Sequence, residues 1–463
     1  MISGSVVGRS ARVALRRHHP AQPIIRRGLA APASGSFQYD IGKVDGVNVA
    51  SRDLDGPTTT VALVAKAGTR YQPLPGFAEA LERFAWKRTE KRSALRITRE
   101  VELLGGELNA YHSRENLVLQ TRFLREDLPY FVELLGEVAS KTRYTGYELD
   151  EEILPYIKQS QKFLLADTKA LAINSAHGIA FHRGLGIPLN PTSSTPLTKY
   201  LDSEHIAQYA KAAYAKPNIA VVANGADQSE LSKWVGEFFS GLGSTHPAGV
   251  PQLESSPSKY YGGEERIAHD SGNTMVIAFP GSSSFTAGST YKPELAVLAV
   301  LLGGQSSIKW SPGFSILSKA SSGFPGAKVA TTHAAYSDAG LLYTTLHGSA
   351  NDVAKAAGEV VKALKSVGAG QISKEDFTKA VAAAKFKALE SGETLDVGLE
   401  LTGAGLIQQG KAYQIDEIGK SISAVTEEQV KKAAKSLVDG KATVSAVGDL
   451  FVLPFAEELG LNV

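Results

Sequence analysis

Apolar positions along the chain fall in short runs separated by polar and glycine-rich turns. Thr58–Ala67 and Asn273–Phe279 are rich in β-branched and aliphatic residues and predict strands. Helical segments follow each of them, Gly76–Phe84 after the first and Pro293–Leu302 after the second. Strands followed by helices, with further strands interleaved, predict α+β layers, a sheet covered by helices on one face.

The pattern then repeats. At a shift of about 224 residues, Ser113–Thr121 lies against Ser337–Thr345, each a turn entering a strand and each preceded by an Ala-Tyr pair, Ala110-Tyr111 and Ala335-Tyr336. At nearly the same shift Ser203–Ala215 matches Thr426–Val438. Each has a capping residue, acids in the first turn and a run of Ala and Lys at helical spacing. Each helix leads into an apolar strand, Ile219–Ala223 and Thr443–Val447, which ends at Gly225-Ala-Asp227 or Gly448-Asp449 ahead of another helix. Three matches in one order predict a duplicated chain. Gly243–Glu265, with Pro247, Pro251 and Pro257 among glycines and serines, reads as the linker between the halves. The expected organisation is a leader over 1–29, a first half over 30–242, the linker over 243–265 and a second half over 266–463.

Composition narrows the chemistry. The 463 residues exceed one hydrophobic core, and 43% hydrophobic with 21% charged is ordinary globular composition. No run approaches the roughly 18 apolar residues that a membrane-spanning helix needs. With no cysteine, disulfides, thiolate nucleophiles and Cys-ligated zinc or iron–sulfur sites are excluded. The net charge of +2 is unevenly placed: Arg9, Arg12, Arg16, Arg17, Arg26 and Arg27 precede the first acid, Asp40. Without those six charges the remainder carries about −4, so the body does not read as a nucleic-acid binder.

Wound as a helix, Arg9, Arg12 and Arg16 share one face, with Val7, Ala11, Ala14 and Leu15 roughly opposite. An Arg-rich, acid-free amphipathic N-terminus without a secretory h-region reads as a mitochondrial presequence. Arg27-Gly28-Leu29-Ala30 resembles a matrix processing site, with the cut after Leu29.

The chemistry-bearing stretch is Ala67-Gly68-Thr69-Arg70, then Gly76–Thr89, which opens with the helix, then Leu103–Ala110 with Gly105-Gly106. In this order it resembles the pitrilysin-type zinc peptidases, the family that includes the mitochondrial processing peptidase. In active members two histidines of His-x-x-Glu-His on the helix and a Glu about 75 residues later hold zinc, and the motif Glu is the general base on the zinc-bound water. Here Glu79 stands at the first His, Glu82 at the general base and Arg83 at the second His, and Ile153–Ser203 contains no Glu. Arg83 would place a permanent cation beside the metal; two unit charges ~4 Å apart already repel by ~4 kcal/mol at an effective dielectric of 20. We therefore expect no metal, no cofactor and no catalysis, with Glu79, Glu82 and Arg83 forming an ion-pair cluster along the helix. The histidines offer no replacement: His177 and His182 are badly spaced for one helical face, and His112 and His333, near the turns before the paired strands, read as structural or exposed. Gly303-Gly304 and Gly105-Gly106 read as turn glycines, short of a phosphate-binding fingerprint.

Two inactive mitochondrial branches of the family are relevant: the presequence-binding α-subunit of the processing peptidase, which carries a long glycine-rich loop, and the core proteins of ubiquinol–cytochrome c reductase, respiratory complex III. The stretch Leu302–Leu317 has Gly-Gly followed by Ser, Lys and Trp310 in place of a long glycine run, and together with Ala335–Leu341 and Thr443–Leu459 it resembles the core-protein branch. The resemblance runs from about residue 37 to the C-terminus. It implies two homologous halves, each a mostly antiparallel sheet with helices on one face, around a cleft. It implies a non-catalytic, structural role on the matrix side of the inner membrane. The implied partners are core protein 1, cytochrome b, cytochrome c1, the Rieske protein and small subunits, with no nucleic acid and no small-molecule substrate.

Overall fold

The computed structural model describes residues 38–192, 195–243, 253, 256–305, 313 and 315–463. The expected presequence, Trp310 and most of the linker's proline-rich part lie outside these residues.

The first half contributes β1 (Asp40–Val44), β2 (Val47–Arg52), β3 (Thr58–Ala65), α1 (Phe77–Phe84), α2 (Ala94–Leu103), β4 (Glu107–His112), β5 (Leu117–Leu124) and α3 (Leu128–Lys141). A helical turn over 146–153 runs into α4 (Leu154–Ala166), followed by α5 (Thr168–Phe181), α6 (Ser203–Ala213), β6 (Ile219–Asn224) and α7 (Gln228–Phe238). The second contributes β7 (Gly263–Ala268), β8 (Asn273–Pro280), α8 (Pro293–Leu302), α9 (Ile316–Ser321), β9 (Ala327–Ala335) and β10 (Gly340–Gly348). Then come α10 (Ala350–Gly368), α11 (Lys374–Glu393), α12 (Leu395–Gln409), α13 (Ile415–Ser423), α14 (Glu427–Asp439) and β11 (Thr443–Gly448).

The duplication is visible in the topology. One sheet has the order β1-β2-β6-β3-β5-β4, the other β7-β11-β8-β10-β9. Without β1 the two orders coincide strand for strand. Each sheet is antiparallel apart from one parallel pair, β2 with β6 and β7 with β11. β7 begins at Gly263, inside the segment read as linker.

Alternate residues of each strand face two different cores. In the first sheet Val61, Leu63 and Ala65 of β3 face the half's own helices, packed with Phe84, Ile97, Phe131 and Leu231. Ala62 and Val64 point the other way, against Leu399 and Leu406 of α12, a helix of the second half. The second sheet mirrors this. Met275, Ile277 and Phe279 face helices of their own half, whereas Val276 and Ala278 meet Ala172, Ala176 and Ala180 of α5, a helix of the first half. The expectation of helices on one face thus needs an addition: each sheet's second face is covered by a helix exchanged from the other half. Being buried on both faces, these strands read as continuous apolar runs.

The exchange depends on small side chains. Alanines at 172, 176 and 180 form one flat stripe on α5. On α12, a Cβ on Gly403 would lie 2.4 Å from Val64 Cγ2, so glycine lets helix and sheet touch. Hydrogen bonds at the margins pin the exchanged helices: Thr168 to Thr274 at 2.9 Å, Ser445 to Ser175 at 2.8 Å and Gln120 to Asp396 at 2.6 Å.

Two expectations about helix ends are corrected. The α6 cap is Asp202, whose carboxylate accepts from His205 N–H, rather than Ser203; its sister α14 is capped by Thr426 in a reciprocal box with Gln429. After β11 no second-half helix follows: residues 450–459 form turns. Pro454 disfavours a helix there, and the carbonyls of Leu450, Leu453 and Pro454 accept from the Arg266 guanidinium instead.

Candidate functional site

The helix that resembles the peptidase motif begins at Gly76, whose φ of 99° turns the chain sharply into α1. Its apolar residues Phe77, Ala80, Leu81 and Phe84 anchor one face in the core. This carries Glu79 and Glu82 into buried positions and leaves Arg83 partly exposed.

Each motif residue is occupied by protein. Glu79 accepts from Ser160 Oγ on α4 at 2.7 Å and from Asn190 at 3.4 Å. Glu82 accepts from the His112 backbone N–H at 3.1 Å and lies 2.5 Å from His112 Nδ1. Arg83 pairs with its neighbour Glu82 at 3.2 Å and lies over the Tyr156 ring, 3.9 Å from its centroid. The expected ion-pair cluster along the helix is therefore corrected. Among the described residues only Glu82 pairs with Arg83; Glu79 turns instead toward α4, and Ser160 and Asn190 donate to it.

His112 is the residue whose importance here the sequence understated. It sits at the end of β4, buried, with Nδ1 on the Glu82 carboxylate and Nε2 on the Leu189 carbonyl at 2.9 Å. A carbonyl on one nitrogen and a carboxylate on the other suit a ring that donates from both. Burial works against that cation, but the Glu82 hydrogen bond and charge hold the His112 pKa above its ordinary value. Beside this cluster a groove of about 490 Å³ is lined by Arg83, Trp86, Lys87, Glu152 and Tyr156. Among the described residues no group of three or more His, Cys, Asp or Glu could hold a metal ion.

The other histidines are spread apart. His177 is buried under the second sheet, with Nδ1 2.7 Å from the Ile173 carbonyl and Nε2 2.8 Å from the Tyr336 hydroxyl. The first contact puts the proton on Nδ1, and Tyr336 donates to Nε2, so this ring is neutral. Burial first, and then the nearby Arg114 cation, push its pKa down to about 3. His182 stacks on Tyr261. His333 accepts from Ser282 N–H at 2.9 Å, and burial pushes its pKa down to about 4.

The second cluster lies where the halves meet, on the repeated turns. Gly68 sits so close to the turn around Arg114 and Glu115 that a Cβ would fall 2.5 Å from its backbone. Gly68 N–H donates to the Glu115 carbonyl and Arg70 N–H to that of Arg114. The Arg70 guanidinium then spans two carboxylates, Glu115 at 2.8 Å and Asp338 of the second half at 2.7 Å. Glu115 in turn accepts from Ser337 N–H at 2.8 Å and Oγ at 2.6 Å. Ser113, the repeat counterpart of Ser337, donates to Glu400 on α12 at 2.8 Å. Each repeated serine is thus held by a glutamate of the opposite half. Sequence comparison found the two turns, but not that they face each other. Gly303, at the end of α8, is a turn glycine with φ 62°.

A duplicated α+β chain with exchanged helices, and a motif helix whose two carboxylates are held by Ser160, Asn190 and His112, defines a non-catalytic peptidase-like class. Residues 48–192 match the family described as Insulinase (Peptidase family M16), and residues 200–384 match the Peptidase M16 inactive domain. The chain is 52% identical over 463 residues to cytochrome b-c1 complex subunit 2, mitochondrial, of Neurospora crassa, covering 100% of both chains. It is 34% identical over 434 residues to the subunit of that name in Yarrowia lipolytica, 94% of this chain and 99% of the relative. With its Mus musculus counterpart it shares 28% over 426 residues, 90% of each chain. The chain belongs to the M16 peptidase family and, within it, to the cytochrome b-c1 complex subunit 2 proteins.

Proposed function

We propose that this chain is a structural, non-catalytic subunit of the mitochondrial cytochrome b-c1 complex, the assembly that passes electrons from ubiquinol to cytochrome c. End-to-end similarity to subunit 2 proteins carries the reading. The motif helix supports it: Glu79, Glu82 and Arg83 form a degenerate zinc motif whose polar atoms bind Ser160, Asn190, His112 and Tyr156. The chain lies peripherally on the matrix side of the inner membrane and pairs with core protein 1, beneath cytochrome b, cytochrome c1, the Rieske protein and the small subunits. No helix among the described residues is long and apolar enough to cross a membrane. A presequence over 1–29 directs import, and the mature chain divides into halves over 30–242 and 266–463, joined by 243–265.

The test is capture of the tagged mature chain from mitochondria in mild detergent, read by mass spectrometry, haem absorbance and zinc content after dialysis. Core protein 1 with cytochromes b and c1 in near-equal amounts is the expected result. A haem-free, zinc-bearing partner would make the chain a processing-peptidase α-subunit instead, and stoichiometric zinc in the chain itself would end the non-catalytic reading.

A further inference from the structure

The two sheets differ by one strand. In the first, β1 lies along the outer edge of β2, pairing Asp40 with Ser51 and Gly42 with Val49. β2 is almost wholly buried as a result. In the second, β7 ends the sheet and is half-exposed along its length.

The registers place the difference residue by residue. Val49 lies opposite Val221 and Ser51 opposite Ala223, while Glu264 lies opposite Val444 and Arg266 opposite Ala446; these four partners all face their own half's helices. Glu264 and Arg266 therefore occupy the places of Val49 and Ser51, the two residues that β1 covers with Gly42 and Asp40.

The backbone of β7 is oriented to match. Gly263 N–H donates to the Ala442 carbonyl and His269 N–H to that of Gly448, so odd-numbered residues bond β11. The N–H and C=O groups of Glu264, Arg266 and Ala268 point outward, and no described strand lies there.

Apolar surface flanks this edge. Phe451 is fully exposed and Phe455 half-exposed, in the turns that replace the missing helix. The Arg266 guanidinium sits over the Phe455 ring, 3.8 Å from its centroid, which fixes that ring beside β7. In the first half the corresponding corner is closed by α7, where Gly236 packs against Val44 of β1. The described residues just before β7 do not supply the strand: Tyr261 N–H bonds the Ala180 carbonyl, at the end of α5.

We propose that the outer edge of β7 docks an extended segment of a neighbouring subunit, added antiparallel as the sixth strand of the second sheet. This inference rests on the complex-subunit reading above. The segment pairs with the outward backbone groups of Glu264, Arg266 and Ala268, and places apolar side chains against Phe455 and Phe451. The Arg266 guanidinium is itself held by Glu264 at 3.2 Å and by the carbonyls of Leu450, Leu453 and Pro454, so the segment is recognised by its backbone and by its apolar side chains.

The test uses the complex isolated by the tagged chain. The amides of Glu264, Arg266 and Ala268 are followed by hydrogen–deuterium exchange in the complex and in the released full chain. Because the chain has no cysteine, an Ala268→Cys variant supplies a single thiol for a short photo-cross-linker. The expected result is exchange slowed about 100-fold or more in the complex, with cross-links to another subunit. If the cytochromes co-purify but the three amides exchange equally fast in both samples, the docking inference falls and the complex reading stands. Cross-links to a second copy of this chain, or to its own residues 30–37, overturn the stated occupant. Absence of the cytochromes removes the complex reading itself, and the inference with it.

Discussion

Arg70 and Asp338 are joined by two parallel hydrogen bonds of 2.7 Å, Nη1 to Oδ1 and Nη2 to Oδ2, across the boundary between the halves. Burial disfavours the Arg70 cation, yet Asp338 and Glu115 raise its pKa; Arg70 in turn holds Asp338 below the usual carboxylate range despite partial burial. The two carboxylates are not equivalent. The Glu115 side chain is 8% exposed, and burial raises its pKa, whereas the Asp338 side chain is 32% exposed.

That asymmetry predicts unequal costs. Arg70→Met leaves Glu115 buried beside an apolar chain and is expected to cost about 3–5 kcal/mol. Asp338→Asn keeps the shape, leaves the Arg70–Glu115 pair intact and is expected to cost about 1 kcal/mol. Urea denaturation of the two variants checks the order; equal losses would mean that the inter-half contact, rather than the buried carboxylate, dominates.

Gly403→Ala puts a methyl group into Val64. Although alanine is the better helix former, the clash is expected to leave a net loss of about 1–3 kcal/mol. Gly358→Ala in α10 is the control, since a Cβ there meets nothing within 4 Å; it is expected to stabilise by up to about 1 kcal/mol. Paired denaturant midpoints read both effects.

Histidine burial predicts acid sensitivity. His177 and His333 have folded pKa values near 3 and 4, below the unfolded value of about 6.5. Below pH ~6.5 the unfolded chain takes up protons that the folded chain refuses, so stability falls with falling pH. Each group contributes about 1.4 kcal/mol per pH unit between the unfolded pKa and its own. The unfolding free energy measured from pH 7 to 4.5 should fall less steeply in His177→Gln, whatever that variant's stability at pH 7.

His112 titrates with the opposite sign. Its folded pKa is raised, so its stabilisation is complete below pH ~6.5 and is lost as pH rises through the folded pKa. Glu82→Gln removes the carboxylate that holds the imidazolium and leaves burial unopposed. The His112 resonance, followed by NMR, should then titrate at a lower pH than in the parent chain. An unmoved midpoint would show that the Leu189 carbonyl, not Glu82, stabilises the ring.

Much of the fold was legible because strands buried on both faces leave continuous apolar runs, and because duplication printed the same turn twice, at Ser113 and Ser337. The degenerate motif was legible from side-chain identity alone, as no geometry turns Glu79 and Arg83 into imidazoles. Where Glu79 would turn was not legible, since Ser160 and Asn190 lie 81 and 111 residues away. Nor was the helix exchange: the alanines of α5 look the same in sequence whether they meet their own sheet or another. The turns after Gly448 were misjudged because the repeat suggested a helix, and Pro454 with Arg266 overrode it.

The exchanged helices bear on how the polypeptide comes together as it is made. The inner face of the first sheet, with Ala62, Val64, Ala220 and Val222, is closed by Leu399 and Leu406, so it must wait until almost the whole chain has emerged. Contacts of such long sequence separation form slowly. During that interval a sheet with a bare apolar face is open to wrong partners, which is the state that chaperones recognise. Synthesis order thus makes the C-terminal α12 the closing clasp of the N-terminal half.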